Sequence, residues 1–398
     1  MSNFKSENQE LQLKYYIPIS KNEKNKKITL SNNYYKITLI SILVLIFLIF
    51  IIIIIINNIN KDYSIPEPHS FLSKKSIEQN HISDEFKRSL EDILNKDEIF
   101  VNEKMSKHTT FKIGGPAKFF VKPKTIKQII QIIQLCNKFK VHYFVLGNGS
   151  NLLVSDNGYY GVVIHIGEDN FSHLKVIKKD ENIYTLIVGG GMLMKTLSIE
   201  SCLLSLTGLE DIIDIPGTIG GGIIMNASFR GTGLKKPLTK VTVITPEGNI
   251  KELTKEECKL EHRKSLLKDK KYIVIEAEFT LKKGDKMIIQ KTMTNNTKMR
   301  YEKQPMYFGS AGCFFVWDHN KHGSMYEKYK ESNLISYKIG DIMIYTYNIS
   351  FIVNLGQGTA SDVMKIVTHI EKIMKEKYKI KIRREVIIIG SFNDIEYY

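Results

Sequence analysis

Val145-Leu-Gly-Asn-Gly-Ser-Asn-Leu-Leu-Val154 sets a glycine turn between two apolar runs. A strand leads into Gly147, Asn148, Gly149, Ser150 and Asn151, and a second apolar strand begins at Leu152. Glycine turns the backbone tightly and lets a ligand approach without a Cβ in the way. Exposed N–H groups, with the Ser and Asn side chains, make a cradle for a pyrophosphate. The spacing is not G-x-G-x-x-G and no helix follows at once, so the stretch is not the dinucleotide fingerprint of a doubly wound sheet. Taken alone, a glycine-rich β-turn is the commoner meaning of such a stretch.

Two further glycine clusters change that balance. Ile215-Pro-Gly-Thr-Ile-Gly-Gly-Gly-Ile-Ile-Met-Asn-Ala227 opens with a turn at Pro216 and Gly217, passes Thr218, and runs through Gly220 and Gly221 into an apolar segment ending at Asn226. A helix whose first turn is glycine can be approached by a flat or anionic ligand. Thr110-Phe-Lys-Ile-Gly-Gly-Pro-Ala117 is the third cluster. Three such clusters in one region favour a dinucleotide-like cofactor over three idle turns.

Around the clusters, strands are expected at 119–122, 143–147, 162–165, 185–189, 241–245 and 272–279, with helices at 84–97, 125–139 and 193–206. A later section places strands near 313–317, 350–354 and 386–389. Its helix at 360–377 carries Val363, Ile366, Val367, Ile370, Ile373 and Met374 on one face, a core stripe. The pattern is α/β or α+β with short elements.

The 398 residues are 43% hydrophobic and 25% charged, which excludes a mainly disordered or fibrous chain. Cys136, Cys202, Cys258 and Cys313 form no C-x-x-C pair, so no metal ligand set is expected. The net charge is +15, yet only 6 of the 57 basic residues are Arg. Lys, Asn and Ile are inflated together, so the charge reads as composition and no nucleic-acid partner is expected.

Residues 1–36 are a polar, Lys-rich arm. Residues 37–56 carry no charge and, at 1.5 Å rise per residue, span about 30 Å, the thickness of a bilayer core. They are apolar on every face, unlike an amphipathic core helix. One transmembrane helix in contact with the lipid bilayer is therefore expected, with residues 57–83 as a linker. Lys14, Lys21, Lys24, Lys26, Lys27 and Lys36 precede the run, which places the N-terminus on the cytoplasmic side. A single-pass membrane protein is the expectation. The alternative is residues 1–83 as a leader for import into an organelle.

Residues 108–117, 146–156, 207–227 and 303–315 together resemble the UDP-N-acetylenolpyruvoylglucosamine reductase (UDP-N-acetylmuramate dehydrogenase) family, in the form that lacks an extra tyrosine loop. The resemblance runs in order from about residue 84 to 390. It implies an α+β fold: a two-subdomain FAD-binding region of the vanillyl-alcohol-oxidase/PCMH type over 84–285, split near 167, then a C-terminal α+β substrate domain over 295–390. FAD is the implied cofactor, NADPH the hydride donor and a UDP-sugar the substrate, in a monomer that makes a cell-wall precursor. By resemblance, Gly147, Asn148, Gly149, Ser150, Asn151 and Leu152, with Pro216, Gly217, Thr218, Gly220, Gly221 and Asn226, hold the flavin.

The resemblance also names catalytic candidates. Arg263, in Glu261-His-Arg-Lys-Ser265, matches the family's Tyr-Arg-x-Ser with His262 in the Tyr place. A guanidinium can hold a carboxylate bidentately and stabilise developing charge. Glu385, in Arg383-Arg-Glu-Val-Ile387, matches the carboxyl group near the family's C-terminus. Cys313, in Gly309-Ser-Ala-Gly-Cys-Phe-Phe315, stands where the family has the serine that protonates the substrate. A thiol, with an ordinary pKa of ~8.5, gives up a proton more readily than a hydroxyl. Val316 and Trp317 replace the family's Lys-Asn, and Met343 and Asn348 replace its Gln and His, so the sugar-nucleotide pocket departs from the pattern.

Overall fold

A computed structural model describes residues 82–229, 231–392 and the backbone of 395–397. The arm at 1–36, the apolar run at 37–56 and nearly all of the 57–83 linker lie outside the described residues. Among the described residues no helix is long and apolar enough to cross a membrane.

The first sheet orders its strands Ile99–Lys104, Pro116–Val121, Tyr159–His165 and Tyr143–Leu146. The first pair is antiparallel and the others are parallel. Helix Ile126–Phe139 buries Ile129, Ile132 and Ile133 against Val121, Val162 and Ile164. Thr125 caps its start, accepting from the Gln128 N–H while the Gln128 side chain reaches back, which satisfies donors the first turn leaves open. Phe86 and Leu90 of helix Asp84–Ile93 complete that core.

The second sheet is antiparallel, ordered Ile250–Thr254, Leu238–Ile244, Ile273–Lys283, Ile183–Gly189 and Leu174–Lys178. Alternation along the long strand Ile273–Lys283 sends Ala277, Phe279 and Leu281 inward. Helices Met194–Leu203 and Ile219–Ile224 cover that face with Leu197, Ile219 and Ile223. Helix Lys286–Lys303 follows, capped by Asp285. Sequence periodicity does not reveal it, because its buried residues are Ile289, Asn296 and Arg300, two of the three polar.

The third sheet is ordered Gly309–Cys313, Phe351–Asn354, Ile342–Ile344 and Lys338–Ile339. Helix Ala360–Tyr378 lays the expected stripe of Val363, Ile366, Val367, Ile370 and Met374 into its core. The chain then returns. Strand Ile387–Phe392 pairs in parallel with Leu152–Val154, immediately after the glycine turn. Asp156 ties the same region to the last helix, its carboxylate accepting from the N–H of Ala360 and Ser361 at 2.8 Å each. A carboxylate at a helix N-terminus satisfies open donors and meets the positive end of the dipole. Turn and C-terminal residues more than two hundred positions apart therefore share one backbone frame.

Candidate active site

The two long glycine stretches lie against each other. Ser150 Oγ donates to the Pro216 carbonyl at 2.8 Å. A Cβ on Gly147 would come within 2.5 Å of Thr218 Oγ1, and one on Gly217 within 3.1 Å of Ser150 Oγ. The Thr218 hydroxyl accepts from the Gly221 N–H at 3.3 Å and caps the short helix.

Here the structure corrects the sequence reading of the glycines. Gly149 has φ +60, and a Cβ there would overlap the His108 carbonyl, so it is glycine because its own chain crowds it. Gly222 likewise faces Met194 and Leu234, and Gly220 the carbonyls of Gly190 and Val274. Gly221 alone of that trio is exposed, with only Thr218 Oγ1 near, at 3.4 Å. Most of these glycines let loops dock, and Gly221 is the open approach.

The site fits a diphosphate-bearing cofactor. Among the described residues, the N–H groups of Asn148, Gly149, Ser150 and Asn151 donate to no protein acceptor, so four consecutive donors on one turn remain for an anion. Asn151 also reaches the other half of the site. Its side-chain amide donates to the Glu385 carbonyl at 3.2 Å, and its own carbonyl accepts from the Ile387 N–H at 3.1 Å. Leu152 is buried in the strand that pairs with Ile387.

The three catalytic candidates converge. Arg263 sits at φ +57, inside a turn closed by reciprocal hydrogen bonds between Glu261 and Lys264. A non-glycine residue in that region is uncommon and is held by its surroundings. The turn aims the guanidinium inward: Nε donates to Glu385 Oε1, and Nη1 to the Asn226 carbonyl at 3.2 Å. Asn226 is itself left-handed, φ +44, and its side-chain amide donates to the Glu261 carbonyl at 2.8 Å. The Glu385 N–H donates to the Phe314 carbonyl at 2.8 Å, next in the chain to Cys313, and the Glu385 charge acts on that thiol. Burial raises the Glu385 pKa and outweighs the opposing pull of Arg263.

Burial also pushes the Cys313 thiol up to about 11, and the Glu385 charge adds to it against Arg263 and Arg300. Desolvation disfavours the thiolate, so this thiol lies above the ordinary cysteine range. At neutral pH the thiol is protonated, as a proton donor must be.

Sequence reading missed Arg300. It is 5% exposed, its guanidinium lies 5.2 Å from the centre of the Phe229 ring, and its Nε has no partner among the described residues. Burial lowers its pKa, while Asp214 supports the charge. It adds a second cation beside Cys313. Its only sequence signal was a polar residue inside a helix that lacks an apolar stripe.

The departures from the family pattern are also placed. Val316 pairs with Arg383, and Trp317 Nε1 donates to the Gly323 carbonyl at 2.9 Å. Met343 pairs with Val353. The Asn348 amide donates to the Lys303 carbonyl at 3.0 Å. Among the described residues no group of His, Cys, Asp and Glu could hold a metal.

Residues 117–254 match the family model described as an FAD binding domain. Residues 304–389 match the model of the UDP-N-acetylenolpyruvoylglucosamine reductase C-terminal domain. A UDP-N-acetylenolpyruvoylglucosamine reductase of Lachnoclostridium phytofermentans is 36% identical over 304 residues, 76% of this chain and 97% of the relative. One from Listeria innocua is 37% identical over 295 residues, covering 74% and 95%. The crystal structure of the Thermus caldophilus reductase superposes with TM-score 0.60 at 31% identity, covering 73% of this chain and 99% of that one.

Proposed function

The chain belongs to the UDP-N-acetylenolpyruvoylglucosamine reductase family and is an FAD enzyme with NADPH as reductant, and on that premise we propose how its own residues act on the sugar nucleotide. The substrate in this reading is UDP-N-acetylenolpyruvoylglucosamine and the product UDP-N-acetylmuramate, a peptidoglycan precursor. One observation carries it: Arg263, Cys313 and Glu385, from three distant segments, meet beside the turn that leaves four N–H donors open.

Bound FAD supplies hydride chemistry, and the protein supplies position and electrostatics. The 148–151 turn and the outer side of Gly221 hold the cofactor. Negative charge develops on the enolpyruvyl carboxylate as its double bond is reduced, and fixed cations stabilise such charge best in a site that excludes water. Arg263 and Arg300 are those cations. Cys313 donates the proton that completes the saturated carbon. Glu385, held by Arg263 and with its pKa raised by burial, gives electrostatic help at the forming enolate.

The test is spectroscopic. The purified protein is expected to be yellow, to bleach with NADPH, and to recover its absorbance anaerobically only on addition of the enolpyruvyl sugar nucleotide. Bleaching without that recovery sinks the substrate reading and leaves a flavoprotein that acts on something else. We also assign residues 37–56 to a membrane anchor, on the strength of their 20 uncharged residues. Release of the full chain from membranes by alkaline carbonate would refute that assignment.

A further inference from the structure

Resting on the sugar-nucleotide reading above, we propose that the row of rings Phe308, Tyr345 and Tyr347 is the platform on which this enzyme stacks the nucleobase of its nucleoside-diphosphate substrate. The rings form a connected series. The Phe308 and Tyr345 centroids lie 6.3 Å apart and those of Tyr345 and Tyr347 5.6 Å apart, the second pair edge to face. They pack on each other rather than into the core: Tyr347 is 82% exposed and Phe308 42%. A flat, open π-face is what a base stacks on, and it serves any base because every base has one.

The platform is built onto the catalytic strand. Phe308 directly precedes strand Gly309–Cys313. The loop that bears Tyr345 and Tyr347 is fixed at both ends. The Tyr345 N–H donates to the Phe351 carbonyl at 2.9 Å, and the Ser350 carbonyl accepts from the Phe314 N–H at 2.8 Å. Phe351 is the cross-strand partner of Cys313. Tyr347 is four residues from Phe351, so their Cα atoms are at most about 14 Å apart by chain length. The rings therefore stand on the same hydrogen-bonded frame as the proton donor, within that reach of its strand partner.

The chemistry of the neighbouring positions supports stacking over hydrogen-bond reading. Asn348, next to Tyr347, has its amide committed to the Lys303 carbonyl and its side-chain oxygen to the Ser350 N–H at 3.3 Å, and the Thr346 hydroxyl is bonded to that of Ser336 at 2.9 Å.

The experiment measures UDP binding to the FAD-loaded enzyme by calorimetry. Tyr347→Ala is expected to weaken UDP about 5- to 150-fold, the range of one base–aromatic stack. Tyr347→Phe, which keeps the ring and loses the hydroxyl, should bind UDP as the parent does. Phe308→Leu should weaken it in the same direction as Tyr347→Ala. Flavin content and melting temperature should stay unchanged in all three, since the rings are at the surface. If the parent enzyme itself fails to bind UDP, the sugar-nucleotide reading falls. If the parent binds but Tyr347→Ala and Phe308→Leu bind equally well, the platform is wrong and the substrate reading stands. Equal weakening in Tyr347→Phe and Tyr347→Ala would replace stacking with a hydroxyl hydrogen bond and overturn the proposal.

Discussion

Removing the Cys313 thiol tests the proton-donor role directly, and the structure sets what to expect at each pH. With the thiol held at about 11, only about 0.1% is thiolate at pH 8, whereas a thiol at the ordinary 8.5 would be about one quarter thiolate. At pH 9.5 the contrast is sharper, about 3% against about 90%. Reoxidation of the reduced enzyme by the enolpyruvyl substrate should therefore hold its rate to about pH 10 and decline only as pH rises through 11. Cys313→Ala should slow that half-reaction by about 10²–10⁴-fold, the usual contribution of a positioned general acid. Reduction by NADPH should be almost untouched, because it requires no proton at the substrate carbon. Cys313→Ser should recover much of the loss, since it restores an O–H in the same place. Stopped-flow absorbance resolves the two halves, which a steady-state rate would merge. Equal slowing of both halves in Cys313→Ala would show a packing role. A parent rate that falls with an apparent pKa near 8.5 would show that burial does not protect the proton.

Three further outcomes are expected. Gly149→Ala forces a left-handed residue, at a cost of about 1–2 kcal/mol, and adds overlap with the His108 carbonyl, so the apoprotein itself should melt lower. Gly221→Ala should leave apoprotein melting intact and lower only flavin retention; matched behaviour of the two variants would undo the distinction between docking and approach glycines. Asp156→Ala removes the carboxylate from the start of helix Ala360–Tyr378 and should cost about 2 kcal/mol in denaturant melts, with an unchanged midpoint refuting the tie. His165 is pushed down to about 4 by burial, with the Nδ1 atom unpartnered among the described residues. Its folded-state pKa lies below the unfolded value of ~6.5, so the stability it permits is complete above about 6.5 and is lost as pH falls toward 4, by up to about 3 kcal/mol. His165→Phe should flatten melting between pH 7 and 4.5, and an unaltered pH dependence would sink the assignment.

The sequence by itself determined the elements and the family. Apolar spacing marked helix Ala360–Tyr378 and helix Ile126–Phe139, because a one-sided stripe is a local property of the chain. The glycine turns, Arg263, Cys313 and Glu385 were legible because each sits in a short, dense motif. Helix Lys286–Lys303 was not legible, since its buried face is mostly polar and is defined only by what packs against it. Arg300 stayed hidden with it. The reason each glycine is glycine was also beyond the sequence: crowding at Gly149 comes from His108, forty-one residues earlier, and appears only when the two segments meet. The same holds for the chemistry of Cys313. Its identity is local, but its protonation is set by burial and by Glu385, Arg263 and Arg300, three residues from separate segments that only the folded chain brings beside it. Motif and period are written along the chain, whereas desolvation, charge proximity and steric closure belong to neighbours in space.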